Sequence, residues 1–292
     1  MRAHTVIMYV LCSPCILHPE LRATGITKSS DLALFERAIE RCRHFDIEMV
    51  PLPCPETLYL GPDRKPGNFL ERLNTPAFAG LMDKLELQVQ EILVKRGPPL
   101  CILGVNSSPT CGVTSTYYGS EDQQPPKRTG RGVFLARFPD ICAMDVATFA
   151  RYRIYLAAPL FSTAERTYNA TLSDLLEQHL FEVFLPQEAG DDTDTRMKRE
   201  QARIFSKNKD DLDRADIVVA VIDGADADSG TAWEMGYAYA HNKPVVAVRT
   251  DFRRVGTHEQ VNLMLEESSK VVSSTIGLLE SVNSPLIGKR DV

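Results

Sequence analysis

Two groups of residues in this chain have the types and spacing to do chemistry. The first runs Asp223-Gly224-Ala225-Asp226-Ala227-Asp228-Ser229-Gly230-Thr231-Ala232-Trp233-Glu234-Met235-Gly236-Tyr237-Ala238. Three acids and two glycines crowd its start, and Glu234 follows within a few residues. Near the beginning of a helix, unpaired backbone N–H groups and the positive helix end would keep Glu234 ionised. Thr231 and Ala238 would share its face, and Gly236 permits close packing at the next turn. A positioned carboxylate of this kind can attack a sugar anomeric carbon and form a covalent glycosyl-enzyme. The same residues also read as an acidic loop capping a helix, with Glu234 a solvated first-turn acid.

The second group is cysteine. Cys12, Cys15, Cys42, Cys54, Cys101, Cys111 and Cys142 all precede residue 150. Their number is odd and the chain is not small, which argues against a disulfide framework. Cys15, Cys54 and Cys111 each follow a separate apolar run. Thiolates gathered from three strand ends would suit a soft metal or an iron–sulfur cluster; buried structural thiols are the plainer reading. The six histidines (His4, His18, His44, His179, His241, His258) show no ligand spacing.

The elements that must position these residues follow from periodicity. In the first half, Val6–Leu11, Ile47–Leu52 and Pro99–Val105 read as strands. Ser30–His44 and Pro76–Lys95 have helical spacing, and Gly119–Gly132 reads as a loop or flap. In the second half, Arg153–Ala157, Val183–Leu185, Ile217–Ile222 and Val245–Arg249 read as strands. Ser162–His179, capped by Ser162 or Thr163, Met197–Asp213 and Gly230–His241 read as helices. The alternation predicts an α/β protein with two doubly wound, flavodoxin- or Rossmann-like parallel-sheet domains, 1–148 and 149–292. In such sheets ligands sit beyond the carboxyl ends of the strands, where both groups fall.

Composition bounds the function class. With 43% apolar and 25% charged residues among 292, the chain is neither wholly disordered nor collagen-like. A net charge of -6 gives no overall pull on nucleic acid. No run approaches the length of a spanning helix, so no membrane partner is expected. Thr5–Leu11 after Arg2 is short, β-branched and lacks a small-x-small cleavage site, so it reads as a buried strand rather than a signal peptide. A cytoplasmic location is expected.

The string Asp228–Ala238 resembles the signature of the nucleoside 2-deoxyribosyltransferase family. The likeness continues in order over about residues 152–275: Ile154–Phe161 is similar to the family's first strand and loop, Phe184-Leu185-Pro186-Gln187 to its second strand, Ala215–Ala220 to its third, and Val261-Asn262-Leu263-Met264 to a late segment. The resemblance implies transfer of 2-deoxyribose between purine and pyrimidine bases, with deoxynucleosides and free nucleobases as partners and no cofactor. Glu234 would be the nucleophile, and Asp228 would hold the sugar hydroxyls and orient it. Tyr155 would hydrogen-bond near the nucleophile, and Gln187 would read the base. Phe161, Gly230 and Thr231 would line the substrate. Asn262 and Met264 would complete a neighbouring subunit's pocket, implying a homodimer or larger homo-oligomer. Asn208 stands where the family often has a carboxylate that handles the base proton; an amide cannot shuttle one, so Asp210, Asp228 or water would take that role.

Two other readings stay open. One is an N-glycosidase hydrolysing a deoxynucleoside or its monophosphate, although Ala157–Phe161 lacks a Ser- or Gly-rich phosphate turn. The other is a non-catalytic nucleotide-binding module, which would need neither Asp228 nor Glu234. Over about residues 5–115 the first half loosely resembles the 2-thiouracil desulfurase family (domain of unknown function 523). The matching positions are Cys15, Cys54 with Glu56, and Cys111 with Ser108, while His18 stands where a glycine is usual. That resemblance implies an iron–sulfur cluster on Cys15, Cys54 and Cys111.

Overall fold

A computed structural model describes residues 8–119, 127–188, 198–253, 256 and 259–286. The chain divides into two compact units, Met1–Ala150 and Arg151–Val292.

The first unit runs β1 (Tyr9–Cys12), α1 (Ser29–His44), β2 (Glu48–Pro51), α2 (Pro55–Leu60), α3 (Phe69–Arg72), α4 (Pro76–Arg96), β3 (Ile102–Gly104), β4 (Ser115–Tyr117), β5 (Lys127–Thr129), β6 (Ala143–Asp145) and α5 (Val146–Phe149). Strands β2-β1-β3-β6 form a parallel sheet in that order. Helix α4 shows how sequence sets an element. Thr75 accepts a hydrogen bond from the Phe78 amide at 3.1 Å, Pro76 fills the first helical position, and Gly97, at φ +78°, ends the helix. Its buried residues Phe78, Met82, Leu85 and Val89 fall on one stripe against β1 and β3.

The second unit runs β7 (Arg153–Ala157), α6 (Thr163–Gln178), β8 (Glu182–Phe184), α7 (Lys198–Arg214), β9 (Ile217–Val221), α8 (Ser229–Ala240), β10 (Val245–Val248), α9 (Leu263–Glu267), β11 (Lys270–Val272) and α10 (Thr275–Ser281). Its five parallel strands lie in the order β11-β10-β9-β7-β8. The chain reverses direction across the sheet between β7 and β9, which opens a crevice at their carboxyl ends. Ser162 and Glu165 form a capping box at the start of α6.

Both sheets are doubly wound, as the alternation predicts. The structure departs from the sequence reading where segments are short. Residues 120–126 and the expected first helical residue Met197 lie outside the described residues, as does the start of the first strand. Within the expected loop Gly119–Gly132, Lys127–Thr129 instead pairs antiparallel with Ser115–Tyr117. Strands β6 and β11, three residues each, were too brief to show a period. Among the described residues no helix is long and apolar enough to cross a membrane.

Candidate active site

The centre of the second unit is a carboxylate–phenol pair. Tyr155, in a fully buried run of β7, donates its phenolic proton to Glu234 Oε1 at 2.5 Å. Helix α8 begins at Ser229, so Glu234 lies in its second turn rather than its first. The unpaired N–H groups of the helix end therefore do not set its charge, contrary to the sequence expectation. Burial does. It pushes the Glu234 carboxyl up to about 7, against the Tyr155 hydrogen bond, which pulls it down, while the Asp228 charge adds to the rise. Burial and then the Glu234 charge drive the Tyr155 phenol well above its ordinary range, so Tyr155 stays protonated and remains the donor.

The three acids of the corner have separate tasks. Asp228 is the N-cap of α8: its Oδ2 accepts from the amides of Gly230 at 2.9 Å and Thr231 at 3.1 Å. A side chain at position 230 would bring its Cβ to 3.0 Å from that oxygen, which accounts for Gly230. Asp223 Oδ1 accepts from the amides of Thr250 at 2.6 Å and Asp251 at 2.8 Å, tying the turn after β9 to that after β10. Asp226 accepts only from the Ala227 amide among the described contacts, at 3.0 Å. Thr231 is buried, and its hydroxyl has no hydrogen-bond partner among the described residues.

In the first unit, Cys15, Cys54 and Cys111 line one cavity of about 690 Å³ at the carboxyl ends of β1, β2 and β3. Cys54 caps α2, its sulfur accepting from the Thr57 amide at 3.4 Å and the Thr57 hydroxyl at 3.2 Å. Glu56 accepts from Thr110 Oγ1 at 2.8 Å and Ser108 Oγ at 2.9 Å. Burial pushes the Cys15 thiol up to about 12 and raises that of Cys111 as well. Ser13, fully buried on the same wall, hydrogen-bonds the Cys111 thiol and works against the rise that burial causes there. Among those residues no group of three or more His, Cys, Asp or Glu is placed to hold a metal ion.

Residues 154–273 match the nucleoside 2-deoxyribosyltransferase family. The second unit belongs to that family. An uncharacterized protein of Ureaplasma parvum is 31% identical over 131 residues, spanning 40% of this chain and 80% of the relative. A 2-deoxyribosyltransferase from Bacillus psychrosaccharolyticus is similar at 26% identity, covering 42% of this chain and 86% of that one, with a TM-score of 0.38. A [4Fe-4S]-dependent thiouracil desulfidase is similar at 18% identity, covering 47% of this chain and 90% of that one, with a TM-score of 0.31.

In the deoxyribosyltransferase-family unit, other expected site residues come from segments outside β7 and α8. Gln187 has protein partners at both ends of its amide: Oε1 accepts from Asn169 at 3.1 Å, and Nε2 donates to the Arg166 carbonyl at 2.9 Å. Phe161 and Met264 are 74% and 76% exposed. Asn262 caps α9, accepting from the Met264 amide at 3.0 Å. Asn208 lies on α7. No described hydrogen bond or ion pair links Phe161, Asn208, Asn262 or Met264 to Glu234. Two residues have roles that sequence reasoning did not assign. Asn169, buried in α6, anchors Gln187 and the Pro159 carbonyl. Asp211, one turn beyond Asn208 and 7% exposed, pairs with Lys207 and Arg214, and its charge reaches Tyr155. For Asn169 the available signal was an amide in helical register with the apolar Leu172 and Leu176 of α6.

Proposed function

We propose that the second unit transfers 2-deoxyribose between nucleobases through a covalent intermediate on Glu234. The observation that carries this reading is the short Tyr155–Glu234 hydrogen bond on a partly buried carboxylate. Tyr155 holds one oxygen and leaves the other to attack C1′ of the sugar. The C1′–N bond breaks as the C1′–O bond to Glu234 forms, and the departing base takes up a proton from water, since Asn208 cannot supply one. A nitrogen of a second base then attacks C1′ and displaces the carboxylate, losing its proton. A 2-deoxy sugar lacks the electron-withdrawing 2′-hydroxyl, so the oxocarbenium-like transition state is comparatively accessible. Asp228 commits Oδ2 to the helix cap and has Oδ1 left to accept from a sugar hydroxyl. The Asn208 amide would hydrogen-bond the base without exchanging a proton. Gln187 would contact the base, with Phe161, Gly230 and Thr231 lining the substrate. Asn262 and Met264, exposed here, would be supplied to a second copy.

Incubation with deoxyadenosine and a different free base tests this. A new deoxynucleoside is the expected product. Release of adenine without a new nucleoside would make the unit an N-glycosidase, and no reaction at all would leave a binding module.

For the first unit, the cavity shared by Cys15, Cys54 and Cys111 supports a second reading, an iron–sulfur cluster held by those thiolates. Ligands of a cluster sit on separate irons, so they need not converge as the ligands of one ion do. Three thiols on the wall of one cavity are the donor set that iron–sulfur clusters take. Such a cluster would supply a Lewis-acidic or redox iron with an open position.

A further inference from the structure

The turns leaving β9 and β10 are locked together more densely than a strand-to-helix connection requires. Arg249, 4% exposed, donates through Nη1 to the Ile222 carbonyl at 2.6 Å. Its Nη2 donates to the carbonyls of Gly224 at 3.2 Å and Arg253 at 2.9 Å. In return, Asp223 accepts from the Thr250 and Asp251 amides through Oδ1, and from the Thr250 hydroxyl through Oδ2 at 2.6 Å. The Gly224 amide closes the loop onto Asp251 Oδ2 at 3.2 Å.

Everything held here lies just before the candidate active site. Gly224 sits at φ +116°, in the left-handed region, and four residues later the chain reaches Asp228, the cap that fixes where α8 begins. The start of α8 sets the height of Glu234 against Tyr155. A guanidinium that grips three backbone carbonyls from inside the fold is a planar, fixed-geometry fastener that an ammonium cannot reproduce.

We infer that Arg249 and Asp223 are positioning residues for glycosyl transfer, clasping the turn that places Asp228 and Glu234. This rests on the transfer reading above. The residues touch neither sugar nor base in that scheme; they act through the helix start.

The experiment follows glycosylation of Glu234 by intact-protein mass spectrometry in the full chain, with a deoxynucleoside bearing fluorine at C2′ to slow release of the adduct. Arg249→Met is expected to slow adduct formation by on the order of 10- to 100-fold, the consequence of misplacing a reacting group by about 1 Å. The final amount of adduct per folded protein and the KM for deoxyadenosine are expected to stay near wild type. Arg249→Lys is expected to recover part of the rate. Asp223→Asn, which keeps an acceptor oxygen and the packing, is expected to fall between. If Arg249→Met lowers only the final amount, with a wild-type rate in the reactive fraction, Arg249 is structural and the inference fails. A wild-type rate and amount would also overturn it. If the wild-type protein forms no adduct and turns over no deoxynucleoside, the transfer reading itself falls, and the inference with it.

Discussion

In the transfer scheme Glu234 carries the chemistry, and its titration makes that testable. Attack requires the carboxylate, and burial pushes the carboxyl up to about 7. Activity is therefore expected to fall as pH drops through about 7, seen as the acidic limb of a kcat/KM profile. The Tyr155 hydrogen bond opposes that rise, so Tyr155→Phe is expected to move the limb to higher pH while lowering the plateau. A limb that stays in place would detach Tyr155 from the nucleophile. Stability carries the opposite sign. A carboxyl whose pKa is higher folded than unfolded gives its full stability below the unfolded value, and that stability is lost as pH rises through the folded one. Between about pH 4.3 and 7 the wild-type protein should lose stability that Glu234→Gln retains. At pH 8 the Gln variant is expected to melt higher than wild type while losing turnover, as thermal unfolding and product analysis would show.

At the scale of elements, legibility in the sequence tracked length and punctuation. Ser162 and Glu165, Thr75 with Pro76, and the unbroken Ile217–Val221 run each left a local signature, and the structure has α6, α4 and β9 there. Strand β6 and its partner helix α5 hold three and four residues, too few for a period to show, and the β4–β5 pairing depends on contacts across a polar segment. The acidic corner was visible as a motif, but its division of labour was not. Nothing local says that Asp228 caps while Asp223 ties two turns together, because the partners of Asp223 are 27 and 28 residues away. Nor did the sequence reveal that Glu234 is one turn deeper than a first-turn acid, since that depends on which residue becomes the cap. Loss of the cap in Asp228→Ala is expected to destabilise the unit by about 1 kcal/mol. Asp228→Asn should recover most of that, measured by urea unfolding.

For the whole molecule, the two units pose separate questions with separate assays. Asn262 and Met264 stand exposed beyond β10. If they complete a second copy's site, mixing Glu234→Ala with Asn262→Ala protein is expected to restore part of the activity that each lacks alone. A fully active monomer in sedimentation would sink that arrangement. Protein purified without oxygen is expected to be brown and to contain iron, and to lose both in Cys54→Ser and Cys111→Ser. Colourless, iron-free protein would return the three thiols to a structural role, with no effect on deoxyribose transfer.

Asp228 has one further consequence, for how this position tolerates change. One of its oxygens is fixed by two backbone amides, and in the transfer scheme the other accepts from a sugar hydroxyl. Folding and recognition thus draw on the same side chain, and the residues acceptable to each differ. Saturation at position 228, sorted first for folded protein and then for turnover, should yield two nested sets. Asp, Asn, Ser and Thr survive the first sort as capping residues, and only those that still present an acceptor to the sugar pass the second. Glu, which keeps the charge but lengthens the arm, is expected to rank below the capping residues in the first sort despite being the nearest chemical relative. Drift at this position would be confined by the geometry of a helix end before any selection on catalysis was applied.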